Sequence, residues 1–334
     1  MSISVIICAY TLDRWDSLVA AVESCEAQTV RPNQIVVVVD HNDELLERSR
    51  AAFTNADVIA NRSVKGLSGA RNTGVARSTG DLVAFLDDDA FGEPEWLERL
   101  TSPMSDPQVA GSGGWILPEW ESGAAAWFPR TFYWILGCSY TGLPDDGATI
   151  RNPIGASMAM RRDVFNAVGG FTSGIGRIGK IPLGCEETEL CIRYTAKVPD
   201  RHFVLARSSV VHHRVPASRL TWHYFWTRCW AEGVSKAAVA SLVGAQSGLA
   251  SERRHVMRTI PVEIAQSVRS MSRDPRAGLI RAVLIVAGTL IAAAGLVRGR
   301  IALRTTPIKV QPDELAKLVK MLDDEAKPGS PASH

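Results

Sequence analysis

The first third of the chain alternates short apolar runs with segments of helical spacing. Apolar runs at residues 3–7, 35–39 and 82–86, with a weaker one at 58–60, predict four strands. The run at 35–39 is wholly β-branched, which is typical of a strand buried on both faces of a parallel sheet. Helical spacing between these runs, as at residues 69–77, indicates right-handed βαβ units in an open α/β sheet.

The middle third loses this regular alternation. Residues 111–153 are rich in Gly, Pro and Trp, and we expect irregular structure with short strands there. Beyond them, the pattern predicts a strand at 155–161, helices at 162–168 and 186–197, and the end of a strand at 210–213.

From residue 218 onward the pattern is helical. A run without charge at 282–297 is shorter than the roughly 20 apolar residues of a membrane span. It predicts either a buried helix or a helix at a membrane surface, whose flanking arginines would be attracted to anionic lipid: Arg273, Arg276, Arg281, Arg298 and Arg300. Residues 312–325 predict one amphipathic helix, and we expect disorder from Lys327.

Composition narrows the class of protein. The 37 basic and 35 acidic residues nearly balance, which argues against a general nucleic-acid-binding protein. The six cysteines are scattered without a CxxC pair, so we expect free thiols in a reducing compartment. The N-terminus has no charged segment and no cleavage site, so we expect no signal peptide and a catalytic part that faces the cytoplasm.

Three adjacent carboxylates, Asp87, Asp88 and Asp89, follow the strand predicted at 82–86. Adjacent carboxylates repel one another, and a divalent cation would relieve this because hard cations prefer carboxylate oxygens. The alternative is a solvated acidic turn. Ligands of open α/β sheets bind beyond the carboxyl ends of the strands, which favours the metal site.

Polar groups also follow the first two strands. Asp40 ends the second strand, beside Ala9, Tyr10 and Thr11 at the end of the first. Asp40 is therefore a candidate acceptor of hydrogen bonds from a base or ribose, with a turn or helix-capping residue as the alternative.

A glycine loop precedes the helix predicted at 69–77. Gly66 and Gly69 permit close approach of a ligand, while the helix N-terminus and Arg71 favour an anion such as pyrophosphate. The alternative is an ordinary glycine loop with an exposed arginine.

Two further pairs carry acid–base or ligand chemistry. Glu186 and Glu187 begin a predicted helix, where acidic residues suit the helix dipole, or one of them is a general base. His212 and His213 end a predicted strand, and the neutral imidazole of one could complete a coordination sphere.

Taken in order, these segments resemble the family-2 glycosyltransferases. The resemblance covers roughly residues 2–240 and rests on SVIICAYT, IVVVVD, KGLSGARNTGVARSTGDLVAFLDDDA, GASMAMRRDVFNAVGGF, GCEETELCIR and VHHRVP. It implies a GT-A fold: a mixed, mostly parallel central sheet flanked by helices, with a helical C-terminal extension. The implied domains are a catalytic domain at 1–217, a helical region at 218–304 and a short helix with a tail at 305–334. Within the catalytic domain, about 1–110 would bind the nucleotide sugar and about 111–217 the acceptor.

The resemblance also implies roles for the matching residues. The nucleotide sugar would contact the residues named at the strand ends and in the glycine loop: Ala9, Tyr10, Thr11, Asp40, Gly69, Arg71, Asp87 and Asp88. Asp87 and Asp89 match the outer carboxylates of the family's DxD motif, and Asp89 would bind Mn²⁺ or Mg²⁺ with help from His212, or from His213 instead.

Catalysis and acceptor binding are implied by the later segments. Glu187 takes the general-base position, where it replaces the more common aspartate, and Glu186 is the alternative. We expect Trp115, Gly155 and Ala156 to line the acceptor side, with core packing as the alternative for the tryptophan.

The implied function is inverting sugar transfer from a nucleoside-diphosphate sugar, with UDP favoured, to a hydroxyl of a saccharide or lipid-linked acceptor in cell-surface polysaccharide or glycolipid synthesis. A non-catalytic nucleotide-sugar-binding protein and a sugar nucleotidyltransferase are the alternatives. We expect no nucleic-acid partner and a location in the cytoplasm or at the inner face of the membrane. Peripheral membrane contact and a homo-oligomer stay open.

Overall fold

The computed structural model describes residues 1–173, 175–176, 184–244, 248–249, 252–253, 255–305 and 314–325. Its first four strands are parallel, in the order β3-β2-β1-β4, and each forms where an apolar run predicted it: β1 (Ile3–Ala9), β2 (Gln34–Val39), β3 (Asp57–Ala60) and β4 (Leu82–Asp87). The helices between them cover both faces of this sheet: α1 (Trp15–Glu26), α2 (Asp43–Ala52) and α3 (Leu67–Arg77).

The sheet continues past β4 with mixed directions, in the order β4-β8-β6-β9-β5, and β7 pairs with β9. The added strands are β5 (Ala90–Gly92), β6 (Val109–Trp120), β7 (Thr149–Ile150), β8 (Ser157–Arg161) and β9 (His202–Val215), accompanied by α4 (Trp96–Thr101), α5 (Arg162–Val168) and α6 (Glu186–Lys197). Because β8 runs antiparallel to β4, the start of β8 lies at the same edge as the end of β4.

The expectation of irregular structure from residue 111 is wrong for its first part. Residues 109–120 form β6, which pairs with both β8 and β9. Its glycines make this pairing close: a Cβ on Gly111 would lie 2.5 Å from the carbonyl oxygen of Ala159. Glycine weakens a strand pattern in a sequence, but here its missing side chain lets neighbouring strands approach. A 3-10 helix, Arg130–Leu136, follows.

After the sheet, the described part of the chain includes the α-helices α7 (Trp222–Val243), α8 (Ile260–Ser270), α9 (Pro275–Thr305) and α10 (Glu314–Glu325). The charge-free run at 282–297 lies inside α9, which has 31 residues and is long and apolar enough to cross a membrane by length and composition. The sequence-based length was too short because the flanking arginines do not end the helix. Residues 312–313 and the tail from Lys327 lie outside the described residues.

The core has three main parts. One packs on the α1, α2 and α4 face of the sheet, and a second on the α3, α5 and α6 face. The third joins the 3-10 helix to α7 and α9 through Phe132, Phe225 and Leu284. All six cysteines are free thiols, as predicted. The carboxyl ends of β1, β2 and β4 therefore meet at one edge of a rigid sheet, which is where the polar residues gather.

Candidate active site

The acidic turn after β4 forms a group with one histidine of β9. The potential ligand atoms of Asp87, Asp89 and His213 all lie within 4.8 Å of one another. Asp87 is partly exposed, whereas Asp89 and His213 are buried. Two carboxylates and an imidazole suit a divalent cation such as Mn²⁺, so the residues present fit a metal site.

The structure distinguishes the two histidines. His213 Nε2 lies 3.0 Å from Asp89 Oδ1. His212 instead stacks on Phe91 with a centroid distance of 5.2 Å, and its Nε2 lies 3.2 Å from Glu93. Successive residues of a strand point to opposite faces, so only one of the pair can reach the acidic turn. The assignment of His212 as the ligand does not fit this geometry, and His213, the alternative, does.

Cationic side chains surround Asp89. Arg219 Nη2 lies 2.8 Å from Asp89 Oδ2, and Arg14 Nη1 lies 3.1 Å from the same oxygen and 2.7 Å from Asp88 Oδ1. Burial alone would raise the pKa of Asp89, but His213 and Arg219 hold it well below its usual range. Burial raises the pKa of Asp88 to about 6, although Arg14 acts in the opposite direction.

The sequence analysis did not identify Arg14 and Arg219 as site residues. Their ion pairs join residues 74 and 130 positions apart in the chain, so no local pattern reports them. The available signal was weak: each arginine lies in a short turn just after a strand, at Leu12–Arg14 and Ala217–Arg219.

Arg71 connects three elements beneath this turn. Its Nη1 lies 2.7 Å from Glu186 Oε1, and its Nη2 lies 3.4 Å from Asp87 Oδ1 and donates to the Gly155 carbonyl at 3.1 Å. The buried guanidinium also lies between the rings of Phe85 and Phe171, 5.7 and 5.6 Å from their centroids. These contacts fix Arg71 in one position. A Cβ on Gly155 would lie 2.7 Å from Nη2, so a side chain at this position would force the guanidinium to shift.

The two glutamates at the start of α6 have different surroundings. Glu186 is buried in its ion pair with Arg71. Glu187 is half-buried, and its Oε1 accepts a hydrogen bond of 3.3 Å from Thr188. Burial and the neighbouring Glu186 raise the pKa of Glu187 to about 7. A carboxylate with such a pKa suits proton transfer near neutral pH.

Asp40 lies at the end of β2, where it organises the predicted nucleotide loop. It accepts hydrogen bonds from Asn61 Nδ2 at 2.7 Å and from the Gly66 backbone at 3.0 Å, and its own backbone nitrogen donates to the Ala9 carbonyl. The loop packs closely on the first turn of α3, since a Cβ on Gly69 would lie 2.0 Å from the Val64 carbonyl oxygen.

The other predicted site residues lie near the same edge. The Tyr10 carbonyl accepts from Asn42, and the Thr11 hydroxyl caps the turn that carries Arg14. Ala156 is buried, and its carbonyl lies 3.4 Å from the Asp87 backbone nitrogen. Trp115 lies under the Arg207 guanidinium at 4.2 Å. The ligand-binding roles of these residues stay predictions.

Comparison with known proteins agrees with this geometry. Residues 4–169 match the family model described as glycosyl transferase family 2. The chain is 29% identical over 290 residues to glucosyl-dolichyl phosphate glucuronosyltransferase from Haloferax volcanii, covering 86% of this chain and 92% of that protein. It is 32% identical over 96 residues to glycosyltransferase AglE from the same organism, 27% of this chain and 32% of the relative.

A solved structure supports the fold. The crystal structure of GalNAc-T7 with UDP, GalNAc and Mn²⁺ superposes with a TM-score of 0.50 at 16% identity, over 72% of this chain and 50% of that chain. The mixed sheet and helical C-terminal region confirm the predicted GT-A fold class. The family match over the nucleotide-side strands, the nearly full-length relative and the shared fold agree, and the chain is therefore an enzyme of the family-2 glycosyltransferases.

Proposed function

We propose that this glycosyltransferase moves a sugar, with inversion, from a nucleoside-diphosphate sugar to an acceptor hydroxyl, and that Glu187 is its general base. One observation carries the proposal. The Asp87, Asp89 and His213 group lies at the same sheet edge as the Arg71–Glu186 ion pair, and Glu187 stands next to that pair. The groups proposed to bind the nucleotide and the proposed base therefore belong to one connected set of side chains.

Asp87, Asp89 and His213 would hold Mn²⁺ or Mg²⁺. The bound cation would offset negative charge on the diphosphate of the donor. The presence of Mn²⁺ and UDP in the GalNAc-T7 structure supports this reading, with UDP as the favoured carrier.

Glu186 and Glu187 would then have different roles. Arg71 holds Glu186 and contacts Asp87, so Glu186 sets the position of the guanidinium rather than moving a proton. Glu187 is free to accept the proton of the acceptor hydroxyl as that oxygen attacks the anomeric carbon. Attack from the face opposite the leaving group converts an α-linked donor into a β-linked product.

The acceptor is proposed to be lipid-linked. The nearly full-length relative acts on a glucosyl-dolichyl phosphate by its name. The second support is α9, which exposes apolar side chains where a surface helix in water would expose polar ones. Its glycines face the protein, and its exposed face is apolar.

The inner face of α9 packs closely on α7. A Cβ on Gly295 would lie 2.3 Å from the Trp230 carbonyl oxygen, and one on Gly233 of α7 would lie 2.0 Å from the Ala292 carbonyl oxygen. Small residues that bring helix backbones together are typical of packing in membranes, where large side chains gain nothing by turning inward.

The outer face of α9 carries a stripe of large apolar side chains. They are 46% to 65% exposed and recur at helical spacing: Leu279, Val283, Val286, Leu290, Val297 and Ile301. At a rise of about 1.5 Å per residue the stripe is about 33 Å long. Val262 and Val268 of α8 are exposed as well. Exposed arginines near both ends of the stripe complement anionic headgroups: Arg273, Arg276, Arg298, Arg300 and Arg304.

Arg281, unlike these exposed arginines, forms hydrogen bonds within the protein. It donates to the Ala126 carbonyl at 2.8 Å and to Ser270 at 2.7 Å, so its role is structural. We propose that α8 and α9 lie in the surface of an anionic bilayer and hold the site beside its lipid-linked acceptor. Exposed Trp222 and Trp230 on α7 suit the same interface.

Replacing Glu187 by Gln tests the catalytic proposal. We expect transfer of labelled sugar from a panel of UDP-, GDP- and dTDP-sugars to glucosyl-dolichyl phosphate to fall about 10²- to 10⁴-fold, since only the base is lost. Binding of the nucleoside diphosphate should be unchanged.

Two further variants serve as controls for Glu187→Gln. Glu47→Gln removes an exposed carboxylate on α2 and should leave transfer unchanged. Glu186→Gln removes the partner of buried Arg71 and should lower stability and donor binding together. Near-normal turnover by folded Glu187→Gln would contradict the assignment of the base.

A further inference from the structure

Both oxygens of Asp89 already contact basic groups of this chain. Oδ1 faces His213 Nε2, and Oδ2 faces Arg219 and Arg14. Asp89 and Arg219 are buried, so water replaces little of this interaction. A cation that binds Asp87, Asp89 and His213 must displace at least part of these contacts.

A bound divalent cation would add two positive charges to this group. Each carboxylate is already next to a guanidinium: Asp87 next to that of Arg71, Asp88 next to that of Arg14, and Asp89 next to those of Arg14 and Arg219. A divalent cation would leave Arg14 and Arg219 next to a like charge, which repels them. They would need a new anion, and the donor's diphosphate brings one to that place.

The surroundings of the two arginines differ from those of Arg71. Each lies in a 3-10 turn outside the sheet, and neither is enclosed between aromatic rings as Arg71 is. Arg14 is partly exposed and lies 5.5 Å from the ring of Tyr10, in the segment predicted to contact the nucleotide sugar. It therefore stands between that segment and the acidic turn, where a diphosphate would pass.

We propose that Arg14 and Arg219 exchange partners during the reaction cycle. Without donor they hold Asp88 and Asp89, and with cation and donor bound they hold the oxygens of the diphosphate. A guanidinium suits both partners because its fork of N–H groups matches carboxylate and phosphate alike. The exchange rests on the proposed function, since it requires a cation and a diphosphate at this site.

The exchange predicts opposite effects on two ligands. In Arg219→Gln and Arg14→Gln, Asp89 is released, so Mn²⁺ alone should bind more tightly, by about three- to tenfold. Inorganic pyrophosphate at saturating Mn²⁺ should bind about tenfold more weakly or worse, because a charged donor is lost. Electron paramagnetic resonance of free Mn²⁺ measures the first affinity and calorimetry the second, and neither needs turnover.

Arg77→Gln is the matched control, since it removes an exposed arginine paired with Asp57 on the outer side of α3, and it should change neither affinity. Arg219→Lys keeps the charge without the fork, serves where Arg219→Gln does not fold, and should weaken pyrophosphate binding.

The other outcomes overturn the exchange. Weaker binding of both ligands would mean that the arginines only position the carboxylates, and unchanged binding of both would mean that they do neither. If wild type binds Mn²⁺ and pyrophosphate while the variants behave as one of these outcomes, the proposed function stands and the exchange fails. If wild type binds neither ligand, the proposed function fails with it.

Discussion

The active-site edge of the sheet and the surface of α9 differ in where their charged and apolar side chains lie. At the sheet edge, charges are buried, and Arg14, Arg71 and Arg219 each pair with a carboxylate. Along α9 the arginines are near the ends, the glycines are inside, and a stripe of large apolar side chains is outside. The first arrangement follows the rules for a protein in water, where buried charge must be paired.

The second arrangement breaks those rules. A helix on the surface of a soluble protein presents polar side chains outward, and α9 does so only near its ends. In the most apolar 18-residue stretch of α9, only 22% of the stretch is buried in the protein. If α9 binds membrane as proposed, the two regions face different solvents, and the exposed face of α9 meets hydrocarbon and headgroups. The 3-10 helix connects α9 with the site. Its Phe132 lies against Gly288 of α9, and Gly137, which directly follows this helix, lies against His213.

The largest expected effect comes from filling the α7–α9 contact. Gly295→Leu should destabilise the helical region by about 3 kcal/mol or more, because backbone rather than a flexible side chain opposes the new Cβ. Thermal unfolding followed by circular dichroism in detergent measures it. Ala294→Leu adds the same side chain to the exposed face of α9 and should be nearly neutral. Equal destabilisation by both would remove the distinction between an inner and an outer face.

A second prediction concerns the outer face. Leu290→Glu should lower partitioning into phosphatidylglycerol-containing vesicles by about tenfold or more, since one apolar contact is lost and one charge is added. Flotation of protein with vesicles gives the partition coefficient. Val30→Glu changes an exposed valine of the sheet region and should leave partitioning unchanged. If the unaltered chain stays wholly soluble without detergent or salt, α9 does not bind membrane.

The last prediction is a pH dependence at the sheet edge, which changes no residue. Because the pKa of Glu187 is raised to about 7, the base is ionised above that pH and protonated below it. We therefore expect kcat/KM to be level above pH 7 and to fall about tenfold per unit below it. A profile that stays level down to pH 5 would show that a carboxylate with an ordinary pKa, or another group, is the base.

The sequence predicted the elements whose pattern is local. The β-branched run at 35–39, the acidic turn after β4 and the start of α6 were found because each is written in consecutive residues. β6 was not found, since Gly111, Gly113 and Gly114 weaken a strand pattern in sequence but are required by the close approach of its neighbours.

The rest of the site depends on register and on distant contacts. Whether His212 or His213 meets Asp89 is decided by the pairing of β9 with β5, which places Ala90 opposite His213. A shift of one residue would exchange the two histidines. Arg14 and Arg219 are recognised only through their ion pairs across the fold.

Calorimetric binding of UDP, GDP and dTDP, with and without Mn²⁺, to wild type and Asp89→Ala tests the central claim most directly. The account predicts that one of these nucleotides binds wild type in the presence of Mn²⁺ and loses most of its affinity when Mn²⁺ or the Asp89 carboxylate is removed. Absence of binding by folded wild type, or binding that ignores both Mn²⁺ and Asp89, would contradict the assignment of the acidic turn and His213 as the metal and diphosphate site.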